Sequence, residues 1–400
     1  MKIGIIKEGK VPIDKRVAFT PKQCKEIVNH YPEIKIKVQT SAIRCFTDDE
    51  YKQEGIDVVE DVSDCEVLFG VKEVPIQEIL SDKMYFFFSH TIKAQTYNRK
   101  LLQTILQKKV QLVDYECLKN ETGQRIVAFG RFAGIVGAYN ALWAYGQKHK
   151  CFDLKRAFLC HDIKELFEEL EKVSLPPIKI VLTGAGRVAK GALEILDKIG
   201  IKKIEPVNFS KTYNDVVYCQ IDSKDYNQRV DGNTFEFNHF IHNPKEYKSS
   251  FKDYFGADVL IAAAYWDPNA PALFSKSQMQ DEDFKINLIA DITCDIEGSI
   301  PSTIKSTTIE KPVFDLNLKT WKEEHVFENT SNLTVMSVDN LPCELSRDAS
   351  ESFGEQLISN VIPCLLDKQH SNLIEGSSIA KEGQLTVDFK YLTDFVSSNS

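Results

Sequence analysis

The sequence predicts an α/β protein built on doubly wound parallel sheets, and three observations carry that prediction. Short apolar runs stop abruptly at polar residues. Amphipathic stretches alternate with them along the chain. One apolar run enters a glycine turn that opens a helix. The 400 residues leave room for two or three domains, and 43% hydrophobic with 27% charged residues is an ordinary globular balance.

The first strand, Lys2 to Ile6, leads into Lys15-Arg16-Val-Ala-Phe-Thr20-Pro21. Thr20 suits a helix N-cap, Pro21 the first helical position, and Gln23 completes a capping box. Arg16 lies in the loop before this helix, on the carboxyl edge of the sheet if the first strand runs parallel to the others. Next, Glu66 to Val71 runs into Lys72-Glu73, Met84 to Phe88 into Ser89-His90, and Val110 to Val113 into Asp114-Tyr115-Glu116. Amphipathic stretches, Ile76 to Leu80 and Thr96 to Gln107, lie between. Ligands of such sheets bind beyond the carboxyl ends of the strands, so Lys72, His90 and Glu116 are expected on one edge. Each alone reads as a solvated loop side chain; three at equivalent strand ends favour a site.

A second unit begins near Arg131. FAGIVGAYNALWAYGQ, with Gly134, Gly137 and Ala138 at close spacing, suits a helix packed tightly on another backbone, crossing between domains. A strand from Ile178 to Thr183 then enters Gly184-x-Gly186-x-x-Ala189 and a helix to Leu196, the dinucleotide fingerprint in its G-x-G-x-x-A form. Gly184 permits the tight turn, Gly186 lets a pyrophosphate approach the backbone, and Ala189 allows close helix–strand packing, with the helix N-terminus facing the phosphates. Glu205, 21 positions after Gly184, is placed at the end of the next strand to hold the adenosine ribose and favour NAD. Residues 208 to 250 read as an insertion or strand-poor region. Strands resume at Asp258 to Ala264 and Asn287 to Ile292. A further strand ends at Asp339, and a helix from about Ser346 buries Ala349, Phe353, Leu357, Val361 and Leu365. The polar final thirty residues are expected to cover the first domain.

Composition excludes several classes. With 49 basic and 58 acidic residues the net charge is −9, a poor match to nucleic acid or an anionic membrane. Ten cysteines without a CxxC pair argue against a zinc site or disulfide framework, and no metal-ligand cluster is visible. The longest apolar stretch, Val259 to Trp266, is far short of the ~20 residues of a membrane helix. The opening MKIGIIKEGK has no signal-peptide core, so a cytoplasmic location is expected.

These motifs together resemble the lysine-forming saccharopine dehydrogenases, and most of all the lysine–2-oxoglutarate reductase domain of the bifunctional aminoadipic semialdehyde synthases. The resemblance runs through KRVAFTP, GVKEVP, FFFSHTIKAQ, VDYE, VAFGRFAGIVG, the glycine turn, YWDPNAP, ADITCDIEGSI and SVDNLPCELSRDASESFG, over about residues 1 to 370. It implies two Rossmann-like domains around an interdomain cleft: residues 1–130 with 326–400 for the substrate, and 131–325 for the dinucleotide. It implies that Lys72 is the acid–base group nearest the reacting nitrogen and His90 the second proton-transfer group. Arg16, Glu73, Gln95, Glu116 and Arg125 would line the substrate site. Gly186, Arg187, Glu205 and the segment Val338, Asp339, Asn340 and Leu341 would contact the dinucleotide. The cofactor is NAD or NADP, with NAD favoured, and the partner a small amino-acid substrate. No oligomeric state follows. The single fingerprint leads to the expectation of a monofunctional chain.

The chemistry fits the residues. Saccharopine joins the lysine ε-nitrogen to a glutarate carbon, and cleaving it takes hydride transfer, imine hydration and collapse of a carbinolamine. Two groups of different basicity serve the successive proton transfers. The three substrate carboxylates call for local arginines on an acidic protein, with Arg16, Arg125 and Arg131 available. An alanine dehydrogenase-like enzyme and a non-catalytic nucleotide or amino-acid sensor are the competing readings.

Overall fold

The computed structural model describes residues 1–9, 11–367 and 372–398. The chain divides into two compact units, Met1–Phe129 with Ser346–Ser400, and Gly130–Leu345.

In the first unit, six strands lie parallel: β1 (Lys2–Ile5), β2 (Lys35–Gln39), β3 (Asp57–Val59), β4 (Val67–Phe69), β5 (Met84–Phe87) and β6 (Gln111–Asp114). Their order is β3-β2-β1-β4-β5-β6, and Ser378–Lys381 and Gln384–Leu385 add two antiparallel strands beyond β6. The order reverses between β1 and β4, the switch point of a doubly wound sheet. Both faces of β4, β5 and β6 are buried. Phe69, Phe86 and Val113 point into one apolar cluster, while Leu68, Tyr85, Phe87 and Leu112 point into another. Burial on both sides is why these strands read as unbroken apolar runs. Helix α1 (Pro21–His30) starts as its sequence predicts: Gln23 N donates to Thr20 Oγ1 (3.3 Å), and Thr20 N donates to Gln23 Oε1 (3.0 Å). Helices α2 (Asp48–Gln53) and α3 (Arg99–Gln107) connect later strands, and the helix Ser346–Asn360 buries Ala349, Phe353 and Leu357.

The second unit opens with α4 (Gly130–His149) and α5 (Ile163–Glu169). Strand β7 (Lys179–Thr183) passes through the glycine turn into α6 (Arg187–Lys198), followed by β8 (Lys202–Ile204) and β9 (Val217–Ile221). A subsidiary lobe follows, made of α7 (Ser223–Tyr226), β10 (Asn227–Arg229), α8 (Phe237–His242) and β11 (Tyr247–Ser249), with β10 and β11 antiparallel. Then come β12 (Val259–Ala262), β13 (Leu288–Asp291), β14 (Val313–Asn317), β15 (Lys322–Glu324) and β16 (Leu333–Met336). The sheet order is β15-β14-β16-β13-β12-β7-β9-β8, parallel from β16 to β8.

Three expectations need correction. Residues 208 to 250 are not strand-poor: β9 lies within them and sits directly beside β7. Its sequence, VYCQI, is buried at four of five positions and shows no alternation to betray it. Residues 326–345 belong to the second unit, because β16 pairs with β13 and β14. Helix α4 lies wholly in the second unit, where its close backbone partner is α6. A Cβ on Gly134 would fall 1.8 Å from the Val188 carbonyl oxygen, and one on Gly191 would fall 1.9 Å from that of Arg131. Among the described residues no helix is long and apolar enough to cross a membrane.

Candidate active site

In the first unit, the carboxyl ends of the adjacent strands β4, β5 and β6 deliver Lys72, His90 and Glu116 in turn. Asp114, the last residue of β6, ties two of these ends together. It accepts hydrogen bonds from Ser89 N (2.9 Å), from Ser89 Oγ, and from Glu116 N (2.7 Å). His90 is held in the left-handed region at φ 55°, a conformation that persists only where its surroundings fix it. Its Nδ1 lies 3.3 Å from Glu116 Oε2. The other carboxylate oxygen of Glu116 faces Arg125 Nη2 at 3.4 Å and Lys93 Nζ at 3.8 Å. Burial raises the Glu116 carboxyl, but the hydrogen bond to His90 and the charges of Lys93, His90 and Arg125 outweigh it and hold the group at about 2.

Arg16 is 2% exposed and lies in the loop leaving β1, which is parallel to β4. Asp14 grips its guanidinium in a bidentate pair, Nε to Oδ1 at 3.0 Å and Nη2 to Oδ2 at 2.6 Å. The Phe129 ring lies 4.1 Å beneath it and stacks in turn on Phe353. Glu73 follows Lys72 and is half-buried, while Gln95 is exposed in the loop after β5.

Sequence reasoning missed Glu8. Its carboxylate accepts from Val71 N (2.7 Å) and Lys72 N (2.9 Å), clamping the turn that presents Lys72. Burial, with Asp14 adding to it, pushes this carboxyl up to about 8. Applying the strand-end rule to β1 as well as to β4, β5 and β6 would have found it. Lys93 and Asp14 were also missed; nothing in their spacing marks them.

Arg131, a candidate carboxylate binder, lies in the first turn of α4 in the second unit, and its guanidinium is forked onto Glu194 of α6 at 2.7 Å on both arms.

In the second unit the glycine turn lies at the switch point between β7 and β12. Thr183 Oγ1 accepts from Ala263 N (3.1 Å) and Ala264 N (3.4 Å), joining the two strand ends. Gly184 has φ +93°, and a Cβ there would sit 3.0 Å from the Ala264 Cα. A Cβ on Gly186 would meet nothing within 4 Å, so the backbone there faces open space. Gly186 caps α6 without a side-chain hydrogen bond, leaving the helix's first amides to other acceptors. Ala189 is fully buried against the strand. These residues fit a dinucleotide pyrophosphate. A cavity of about 410 Å³, within the usual range for small-ligand sites, is lined by residues 183–186, by the end of β9 and by the loop after β12.

Arg187 is the exposed first residue of α6. Val338 and Leu341 are buried, Asn340 half-buried and Asp339 exposed in the segment after β16, at the same sheet edge as the glycine turn. Glu205 follows β8, the strand after α6, as its spacing predicts. β8 is separated from β7 by β9, however, and Glu205 is outside the lining of this cavity. The acidic residue at the end of the strand beside β7 is Asp222. Among the described residues, no group of three or more His, Cys, Asp or Glu is placed to hold a metal ion.

Residues 4–136 match the family model described as alanine dehydrogenase/PNT, N-terminal domain. The chain is similar to an alpha-aminoadipic semialdehyde synthase of Arabidopsis thaliana, 29% identical over 99% of the chain, and it spans 42% of that protein's length. It is also similar to the NAD(+), L-lysine-forming saccharopine dehydrogenase of Emericella nidulans, 26% identical over 90% of the chain and 92% of that protein. Among solved structures, an L-alanine dehydrogenase shares the fold with a TM-score of 0.66 and 16% identity, covering 99% of this chain and all of that one. The resemblance read from the motifs is thus to the proteins the chain matches, and the fold is that of two Rossmann-like units.

Proposed function

We propose that this chain is a nicotinamide-dependent oxidoreductase acting on a C–N bond, and that it interconverts saccharopine with L-lysine and 2-oxoglutarate. The observation that carries this reading is similarity through nearly all of the chain and nearly all of a lysine-forming saccharopine dehydrogenase. The arrangement of polar groups in the first unit supports it.

A bound nicotinamide supplies the hydride exchange. The residues of this chain bind the acids and move the protons. Once the carbon–nitrogen bond is an imine, water must add with loss of a proton, and the lysine nitrogen must gain one to leave. Lys72 serves the nitrogen. His90 serves the water and the carbinolamine hydroxyl. With its Nδ1–H donated to Glu116, the imidazole presents Nε2 as the proton-accepting atom, and the carboxylate stabilises the imidazolium that results. Arg16 and Arg125 bind substrate carboxylates. The pairing of Arg16 with Asp14 and its stacking on Phe129 fix the plane of the guanidinium, so little side-chain freedom is lost on binding.

The test is to follow nicotinamide absorbance with purified protein given lysine and 2-oxoglutarate, beside pyruvate and ammonia. Turnover with the first pair is expected. In the other direction, saccharopine should yield lysine and 2-oxoglutarate in equal amounts. Turnover confined to pyruvate and ammonia would overturn the reading, and glutamate with aminoadipic semialdehyde would show the wrong bond being cleaved.

A further inference from the structure

We infer that Asp222, with the lobe between β9 and β12, forms the adenosine end of the dinucleotide site and selects NAD over NADP by its charge. The inference rests on the proposed reading only in taking the ligand to be a nicotinamide dinucleotide.

The position of Asp222 follows from register. β9 pairs with β7 in parallel with Thr183 opposite Ile221, and Gly184 N donates to the Ile221 carbonyl at 2.8 Å. The next residue, Asp222, therefore leaves the sheet alongside the glycine turn, and both line one cavity. In a doubly wound sheet the ribose hydroxyls meet the carboxyl end of the strand neighbouring the fingerprint strand. Chain order usually makes that the next strand. Here β8 has been displaced outward, so the position passes from Glu205 to Asp222.

The carboxylate is held in place. Its Oδ1 accepts from Ser223 N at 2.8 Å, capping α7, and Asp222 N donates to Asp225 Oδ2 at 2.8 Å. A carboxylate so fixed accepts from ribose hydroxyls and repels a 2′-phosphate carrying nearly two negative charges. The rest of the lining agrees. Its charged residues are Asp222 and Asp267, and among the described residues no lysine or arginine lines it. A site for NADP would need a cation there.

The apolar wall of the same cavity comes from α8. Phe237 and Ile241 are 57% and 53% exposed although they line it with Phe240. Phe240 is packed edge-on against Tyr247 at 4.9 Å between centroids, which anchors the helix on β11. Exposed apolar side chains on an anchored helix, facing a cavity that contains the glycine turn, suit the flat face of adenine.

The experiment is direct binding of NADH and NADPH by calorimetry. Wild type should bind NADH at least about tenfold more tightly than NADPH, the scale of a hydrogen bond to a charged group. Asp222→Asn keeps a capping acceptor but removes the charge, and should collapse that ratio. Ser223→Arg, which places a cation in the lining without touching the cap, should strengthen NADPH binding by about tenfold. Glu205→Gln should leave the ratio unchanged. Equal or tighter binding of NADPH by wild type, an unaltered ratio in both cavity variants, or a ratio shifted by Glu205→Gln would overturn the inference. Charge-dependent NADH binding without turnover of lysine and 2-oxoglutarate would overturn the proposed reaction and leave this inference standing; binding of neither nucleotide would overturn both.

Discussion

Gly134→Ala sets two ordinary effects against each other and so gives a prediction in which the sign decides. In a helix interior alanine is preferred over glycine by about 1 kcal/mol, so propensity alone would stabilise α4. Packing against α6 acts the other way. The new Cβ would fall 1.8 Å from the Val188 carbonyl oxygen and 2.8 Å from Ala192 N, and both are backbone atoms that no rotamer change can move. A carbon approaches a carbonyl oxygen to about 3.3 Å, so α6 must retreat by roughly 1.5 Å. Overpacking of this kind costs about 3 kcal/mol, leaving a net loss of about 2 kcal/mol after the propensity gain. For a unit the size of residues 130–345 that lowers Tm by about 4–8 °C. Calorimetry of wild type and variant reads it directly. Gly191→Ala, whose Cβ would fall 1.9 Å from the Arg131 carbonyl oxygen, should behave alike. Because both strain one crossing, the double variant should lose less than the sum. A Tm at or above wild type for Gly134→Ala would refute the close crossing.

Three more outcomes follow from the geometry. Lys72→Met should lower turnover by about 10²-fold or more while NADH affinity stays nearly unchanged, a split that separates proton transfer from nucleotide binding; near-normal turnover would remove Lys72 from its role. Glu116 sits at about 2 in the folded chain against an ordinary 4.5, so its stabilisation is complete above pH 4.5 and is lost as pH falls through 2. Urea unfolding should therefore show wild type losing about 2 kcal/mol more than Glu116→Gln between pH 5 and pH 2.5, and parallel losses would contradict the ion cluster. Gly184→Ala, forced into φ +93° and against the Ala264 backbone, should weaken NADH binding by about tenfold in calorimetry, with unaltered affinity the contrary result.

Much of this is legible in the amino-acid sequence. Strands β1, β4, β5 and β6, the Thr20–Gln23 capping box and the glycine turn depend on local pattern, and local pattern is what a sequence displays, whereas the charged, part-exposed β2 and β3 do not read as strands. What escaped depends on adjacency. Nothing in VYCQI says that it lies beside β7, because a short strand buried on both faces has no period and its partner is distant in the chain. Glu205 has the expected spacing, but its strand, β8, is separated from β7 by β9. Arg131 had suitable chemistry, but Glu194, a residue 63 positions away, holds it. Glu8 was hidden for a milder reason: the first strand ends on a lysine and a glutamate that look like ordinary surface charge until β4 is placed beside them.

The antiparallel strand Ser378–Lys381 has a consequence for how the first unit fails. β6 carries Asp114, and Glu116 follows it, yet in the parallel sheet alone β6 would be the rim, with a row of open amides and carbonyls. Ser378–Lys381 closes that rim, helped by Gln111 Nε2 donating to Ser378 Oγ at 2.9 Å and Ser377 Oγ donating to the Cys117 carbonyl at 3.0 Å. Local opening that peels this strand away would uncover the edge that bears the candidate active-site residues and offer it to a second molecule as a pairing template. Loss of activity and the onset of strand-mediated association would then be two results of one opening, beginning at Ser378–Lys381 rather than at the site.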